Sequence, residues 1–162
     1  MKKLCLLFLV ISIFISLPST ALFASELEVK VGDSFFLNGE EVHLVDEDVD
    51  ESYEESEGFS LFAKAGQRRS STKTYKPLFS ARYSISKSEA DYQQNSIGVR
   101  GRIFDKDGGL LKSKSDSQKH STIASVKVED PTNPMKSKLA VGNHTYKRDG
   151  FKDTYPETKS NW

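Results

Sequence analysis

The chain has 162 residues, with 23 Lys or Arg and 23 Asp or Glu, so its formal net charge at pH 7 is zero. A length of this order is typical of one domain. The single cysteine, Cys5, lies near the N-terminus and excludes a small scaffold held together by intrachain disulfides.

The first 24 residues have the pattern of a secretory signal peptide. Two lysines form a positive head, residues 4–17 are predominantly apolar, and small residues follow, so cleavage is expected after Ala24 or Ala21. An uncleaved membrane anchor is the alternative, because residues 4–24 are about as long as the ~20 residues that span a bilayer. The Pro-Ser-Thr sequence behind the apolar run favours processing. We therefore expect an exported protein with no transmembrane segment after the signal is removed.

Loss of the signal would also remove Cys5 and leave a mature chain without cysteine. Small extracellular domains of animals are usually stabilised by disulfides. The sequence therefore favours a secreted or cell-wall-associated bacterial protein, from a Gram-positive organism.

The neutral total hides two oppositely charged parts. Residues 26–57 carry thirteen Asp or Glu and one Lys, a net charge of −12, whereas residues 58–162 carry twenty Lys or Arg and ten Asp or Glu, a net charge of +10. An acidic block such as residues 46–57 is typical of extended or disordered chain. With the polar, basic stretch behind it, this block predicts a flexible linker over residues 46–75, acidic first and then basic.

The predicted linker divides the mature chain into two β units. Residues 25–45 form the first, with a hairpin at Asn38-Gly39, because Asn-Gly between two runs that contain apolar residues is a strong hairpin signal. Residues 76–162 form the second. Whether the two units share one sheet is left open by the sequence.

Apolar and polar residues alternate in several runs of the second unit, as in strands with one buried face. The first run predicts a strand with Phe79 and Ile85 facing the core and Ser84 facing water, followed by a polar connection over residues 87–95. Two further runs have their core-facing residues at Ile97, Val99 and Ile103 and at Ala124, Val126 and Val128. We therefore predict an all-β protein, a small antiparallel sandwich or meander with an N-terminal hairpin.

A basic patch is the candidate binding site. Its members lie on or near the strand over residues 97–103 and are Arg100, Arg102, Lys112, Lys114 and Lys119. Such a patch suits phosphate groups, an anionic envelope polymer or anionic lipid, or another protein. It could equally dock the acidic segment of the same chain. Nucleic acid is not expected, because Phe104 alone provides little aromatic surface for stacking bases.

No catalytic or metal site emerges from the sequence, and no cofactor is expected. His43, His120 and His144 are far apart and lack the spacing of metal ligands, so they are expected at the surface or in hairpins. Residues 105–109 begin like a calcium loop, but Leu110 stands where the loop needs glycine, which favours a hairpin turn.

Two functions fit this outline, and an enzyme is a third alternative. The first is a non-enzymatic extracellular or wall-associated binding module that uses the basic patch. The second is a bacteriocin-like toxin made as a preproprotein, with signal cleavage at Ala24 and removal of an acidic propiece at Arg68-Arg69. The resemblance to bacteriocins is one of arrangement only.

Overall fold

The computed structural model describes residues 29–58 and 64–162. The strands in these ranges are β1 (Ser34–Leu37), β2 (Glu40–Tyr53), β3 (Gln67–Pro77), β4 (Tyr83–Phe104), β5 (Leu110–Glu129), β6 (Leu139–Lys147) and β7 (Glu157–Asn161). They pair antiparallel into one curled sheet, and this part of the chain contains no helix, which confirms the all-β prediction. The described residues accordingly offer no helix long and apolar enough to cross a membrane. The predicted signal peptide and Ala24 lie outside the described residues.

The long hairpin of β4 and β5 organises the sheet. Residues 83–90 of β4 pair with β3, residues 96–104 pair with β6, and β5 runs along the opposite side of both segments. The strand order is therefore β1-β2-β3-β4-β6-β7, with β5 attached to β4. Because β4 bends between its two segments, the two halves of the sheet face each other across a common interior.

Asn38 and Gly39 form the connection between β1 and β2. Both have positive φ, 53° and 82°, and Leu37 pairs directly with Glu40 across the turn. A two-residue connection of this kind matches the twist of the flanking strands and requires residues that tolerate the left-handed region.

The acidic segment corrects one prediction of the sequence analysis. Residues 46–75 were predicted to form a flexible linker, but they form paired strands where the structure describes them. Residues 46–53 belong to β2 and pair with residues 67–74 of β3. Glu47 lies opposite Lys73, with 2.9 Å between Oε1 and Nζ. Alternation along the strand sends successive acids to opposite faces, so the net charge of the segment overstates the repulsion on either face.

The inner face of the acidic segment approaches the end of the chain. The carboxylates of Asp46 and Asp48 accept hydrogen bonds of 2.7 Å from the backbone N–H groups of Asn161 and Lys159 in β7. Strand β7 was not predicted, because its alternating residues are threonine and serine rather than apolar. These bonds connect β7 to β2, although the two strands are not neighbours in the sheet.

From Ser84 onwards the faces of the first segment of β4 are the reverse of those predicted. Ser84 is fully buried, Ile85 is half-buried, and Phe79 lies outside the strand with 86% of its surface exposed. Tyr83, which was predicted on the core side with Phe79 and Ile85, is by contrast buried against Tyr75.

The predicted polar connection over residues 87–95 is strand as well, with a register irregularity between Glu89 and Gln94. This irregularity acts like a bulge and exchanges the faces of the strand. Even-numbered residues point inwards before it, and odd-numbered residues point inwards after it.

An apolar cluster fills one part of the interior. It confirms the core-facing residues predicted for the second and third runs and comprises Ile97, Val99, Ile103, Ala124, Val126, Val128, Ala140 and Tyr146. Gly101 allows the second segment of β4 to approach the end of β5, because a Cβ at this position would lie 2.9 Å from Cγ2 of Val128. The predicted turn at residues 105–109 is also present, and Oδ1 of Asp105 accepts hydrogen bonds from the backbone of Asp107 and Gly109.

Candidate anion-binding face

The outer side of β5, β4 and β6 carries the candidate site. Paired residues on neighbouring antiparallel strands project to the same side of the sheet. Arg100 pairs with Ser115 and Asn143, and Ser96 pairs with Lys119 and Lys147. Since Arg100 and Ser96 are four residues apart on one strand, the two cationic rows lie about 13 Å apart. We call this surface the outer basic face.

The predicted basic patch is divided between two sides of the sheet. Arg100, Arg102 and Lys119 lie on the outer basic face. Lys112 and Lys114 pair with Ile103 and Gly101, both of which face the interior, so these lysines project to the opposite side at the edge of β5.

The two lysines on the opposite side lie close to the end of β5. The pKa of Glu129 is below its usual range, chiefly because Lys127 hydrogen-bonds to the carboxylate, with smaller contributions from Lys114 and Lys112. Lys112 and Lys114 therefore belong to a separate charged environment and do not extend the outer basic face.

Small polar residues form the floor between the two cationic rows. Gly98 lies at the centre, flanked across the strands by Ser117 and Thr145. Glycine has no side chain, and the neighbouring hydroxyl groups are short. The floor therefore rises little above the backbone of the sheet. The hydroxyl groups of Ser117 and Thr145 can donate to or accept from a ligand that lies across the strands.

The charges of the outer basic face differ in how far they are neutralised. Arg102 donates from Nη2 to Oδ1 of Asn143 at 2.5 Å and to Oε2 of Glu157 at 3.3 Å. Arg100 donates from Nε to Oγ of Ser113 at 3.0 Å. Among the described residues, neither Arg100 nor Lys119 has a carboxylate within ion-pair distance.

Lys147 is the member of the face that the sequence analysis missed. It lies in β6, and only the pairing of β6 with β4 places it beside Ser96. Hydrogen bonds to Tyr155 and Asp153 raise the pKa of Lys147, and its Nζ lies 3.1 Å from Oδ2 of Asp153. Its charge is therefore partly balanced, and Arg100 and Lys119 remain the cations available to a partner.

In the described part of the chain the acidic segment meets the outer basic face at its edge, where Glu57 lines a recess with Ser96 and Lys147, and it does not reach Arg100. Its buried carboxylate, Glu54, is only 5% exposed and lies 3.5 Å from Nη2 of Arg68. The same carboxylate pairs with Arg148 and accepts hydrogen bonds from Gln94 and the backbone of Gly66. These contacts fix Glu54 in the interior, beside Arg68, Gln94 and Arg148.

The predicted processing site at Arg68-Arg69 lies in the middle of the sheet. Arg68 is 1% exposed and donates to the backbone oxygen of Lys152 at 2.9 Å, whereas Arg69 is exposed and pairs with Glu51 at 3.6 Å. Residues 68–75 of β3 are hydrogen-bonded to both β2 and β4. Cleavage after Arg69 would therefore require β3 to leave the sheet.

His144 is buried, which corrects the expectation that all three histidines lie at the surface or in hairpins. Its Nδ1 lies 2.9 Å from Oγ of Ser88, and its Nε2 lies 2.9 Å from Oγ1 of Thr158. Ser88 donates its own proton to the backbone oxygen of Gly98, so Nδ1 of His144 must carry the proton and donate to Ser88. Burial lowers the pKa of His144 to about 4, although Asp48 opposes this shift.

A chain of hydroxyl groups continues from His144 through the interior. Nε2 accepts from Thr158, whose oxygen lies 2.7 Å from that of Thr72, and Thr72 in turn lies 3.0 Å from Oγ of Ser86. Each of these hydroxyl groups can donate one hydrogen bond towards His144, and Thr158 and Thr72 can each accept one from the next hydroxyl group in the chain. Although Ser88 and His144 have the separation of a nucleophile and its base, both are buried and the serine proton points to a backbone carbonyl. The arrangement is therefore structural rather than catalytic.

The described residues contain no group of three or more His, Cys, Asp or Glu side chains arranged to hold a metal ion. Comparison of the chain with protein-family models, with curated proteins and with solved structures found no match. The geometry and charges of the outer basic face are therefore the basis for a function.

Proposed function

We propose that this is an exported, non-enzymatic binding module of a Gram-positive bacterium, whose outer basic face binds an anionic polymer of the cell envelope. The observation that carries this proposal is the pair of cations without a carboxylate partner, Arg100 and Lys119, at the two ends of a low, hydroxyl-rich floor. An uncompensated cation attracts an anion without first breaking an internal ion pair.

The dimensions of the outer basic face favour a linear polymer over a single small anion. The backbone positions of the two cationic rows lie about 13 Å apart, so Arg100 and Lys119 have room to contact two different anionic groups. A chain with repeated anionic groups can satisfy both rows at once while its neutral units lie over Gly98 and Ser117. Two weak contacts on one chain then reinforce each other.

The intact module is favoured over a preproprotein because β2 and the residue that follows it, Glu54, contribute to the interior. Val42 and Leu44 of β2 are 2% and 1% exposed, and the buried Glu54 pairs with Arg148 and accepts a hydrogen bond from Gln94. Removal of residues 25–69 would expose the side of β3 and leave its neighbours without these partners. We therefore expect residues 70–162 expressed alone to be unfolded by circular dichroism; a stably folded fragment would instead support the propiece hypothesis.

Binding is tested with two double variants that remove the same charge from opposite sides of the sheet. Arg100→Ala/Lys119→Ala should weaken binding to synthetic poly(glycerol phosphate) by about tenfold or more at low salt, as expected for two lost charge contacts. Lys112→Ala/Lys114→Ala is the matched control and should bind like the wild type. Isothermal titration calorimetry at two salt concentrations measures both variants.

Two results would contradict the proposal. Equal weakening by both double variants would show that only net charge matters. Binding to vesicles that contain phosphatidylglycerol, with no binding to the soluble polymer, would identify a lipid surface as the partner instead.

A further inference from the structure

A second recess lies on the outer side of the sheet, between the β4–β5 turn and the C-terminal strand. It has a volume of about 450 Å³, which is within the range of small-molecule sites. Its floor is apolar and consists of Phe104, Leu139 and Val141. We refer to it as the terminal cleft.

Backbone hydrogen bonds between three segments hold the terminal cleft in shape. The N–H of Lys138 donates to the backbone oxygen of Phe104 at 2.9 Å, and the N–H of Trp162 donates to that of Lys138 at 3.2 Å. Leu139 pairs with Asn161 in the ladder between β6 and β7. The apolar floor is therefore supported by the sheet itself, as expected of a preformed site.

Most charges around the terminal cleft are already balanced. Glu157 interacts with Arg102 and lies 3.0 Å from Nζ of Lys159, while Lys106 pairs with Asp107 at 2.8 Å. The carboxylate of Asp105 is engaged by backbone N–H groups of its own turn.

Lys138 is the exception at the rim. Its side chain has no carboxylate partner among the described residues, although it lines the cleft beside the apolar floor. One free ammonium group next to an apolar floor matches a ligand with one anionic group and an apolar body.

We propose that the terminal cleft is a binding site for a small amphipathic monoanion, an acyl or aryl carboxylate or sulfonate. The apolar body lies on Phe104 and Leu139, and the anionic group lies at Nζ of Lys138. The site does not require Arg100 or Lys119, although Arg102 of the outer basic face also lines it.

The test uses 8-anilinonaphthalene-1-sulfonate as a fluorescent probe and decanoate as a competitor. The wild type should bind the probe saturably, and decanoate should displace it, whereas decyltrimethylammonium should not. Lys138→Glu should weaken probe binding about tenfold. Lys136→Glu is the matched control, because Lys136 is exposed in the same loop but does not line the cleft, and it should bind like the wild type.

The exposed Phe79 provides a further control, because the probe also binds exposed apolar surface and this side chain is 86% exposed. Probe binding should persist in Phe79→Ser and in Arg100→Ala/Lys119→Ala. Binding that is lost in Phe79→Ser, that is equal in Lys138→Glu and Lys136→Glu, or that is not saturable in the wild type would overturn the proposal.

Discussion

The interior of this protein has two regions of different chemistry. The buried side chains of the second segment of β4 and of β5 are aliphatic, whereas those of β3, β7 and the first segment of β4 are mainly hydroxyl groups, joined by His144 of β6 and by the Arg68–Glu54 ion pair. Aliphatic packing is non-directional and tolerates small displacements. The polar region depends on each donor meeting its acceptor, because an unpaired buried polar group costs more than a paired one gains. The two regions should therefore respond differently to substitution and to pH.

The largest effect is expected at the ion pair in the polar region. Arg68→Ala should lower the free energy of unfolding by about 3–5 kcal/mol, since it leaves the buried Glu54 with Arg148 as its remaining cation. It also leaves Oε1 of Gln94 and the backbone oxygen of Lys152 without their donor. Arg69→Ala is the matched control, because Arg69 and Glu51 are both half exposed, and its cost should stay below about 1 kcal/mol. Urea unfolding measures both, and similar values would mean that Arg68 is not buried in solution.

The aliphatic region is tested with a pair of isoleucines. Ile103 is fully buried, so Ile103→Ala should cost about 2–5 kcal/mol through lost burial and the cavity left behind. Ile123 is 44% exposed, so Ile123→Ala should cost within about 0.5 kcal/mol. Thermal unfolding followed by circular dichroism compares the two, and equal melting temperatures would contradict the assignment of the core.

Acid should weaken the polar region through His144. Its pKa in the folded protein is about 4 against 6.5 unfolded, so the stabilisation is complete above pH 6.5 and is lost as the pH falls towards 4. Between pH 7 and pH 5 the free energy of unfolding should fall by about 2 kcal/mol from this group. Protonation of Nε2 would force Thr158 and Thr72 to reverse their hydroxyl groups. Urea unfolding of the wild type and His144→Asn at both pH values tests this, and the variant should lack most of the decrease.

The smallest expected changes in stability come from removing buried hydroxyl groups, and they should differ between a hydroxyl group with partners and one without. Thr72 bonds both Thr158 and Ser86, so Thr72→Val should cost about 1–3 kcal/mol by leaving polar neighbours unsatisfied. The buried Oγ of Ser84 has no partner among the described residues, so Ser84→Ala should change stability by at most about 0.5 kcal/mol. A costly Ser84→Ala would indicate a bond to ordered water at this position.

The period-two pattern alone was sufficient for the fold class and for the aliphatic region. Ile97, Val99 and Ile103 alternate without interruption, and alternation of this kind reports directly on a strand with one buried face. The turn at residues 105–109 was equally predictable, because Asp and Gly favour tight turns whatever the tertiary context.

Burial of polar residues and the fold of the acidic segment were predicted wrongly from the sequence pattern, because both depend on the tertiary structure. Buried Ser84 and Thr158 look like surface residues, because hydropathy does not record a hydrogen-bond partner on another strand. The acidic segment looks disordered by itself, and only its pairing with β3 supplies Lys73 as a neighbour for Glu47.

The outer basic face shows the same division between sequence and structure. The cations at Arg100 and Lys119 were visible in the sequence, but their side of the sheet was not, since spacing along the chain does not give cross-strand register. Register placed Lys147 on the face and moved Lys112 to the other side. The sequence by itself thus determined the strands of alternating aliphatic residues and the charges along the chain, and strand pairing decided which charges lie together.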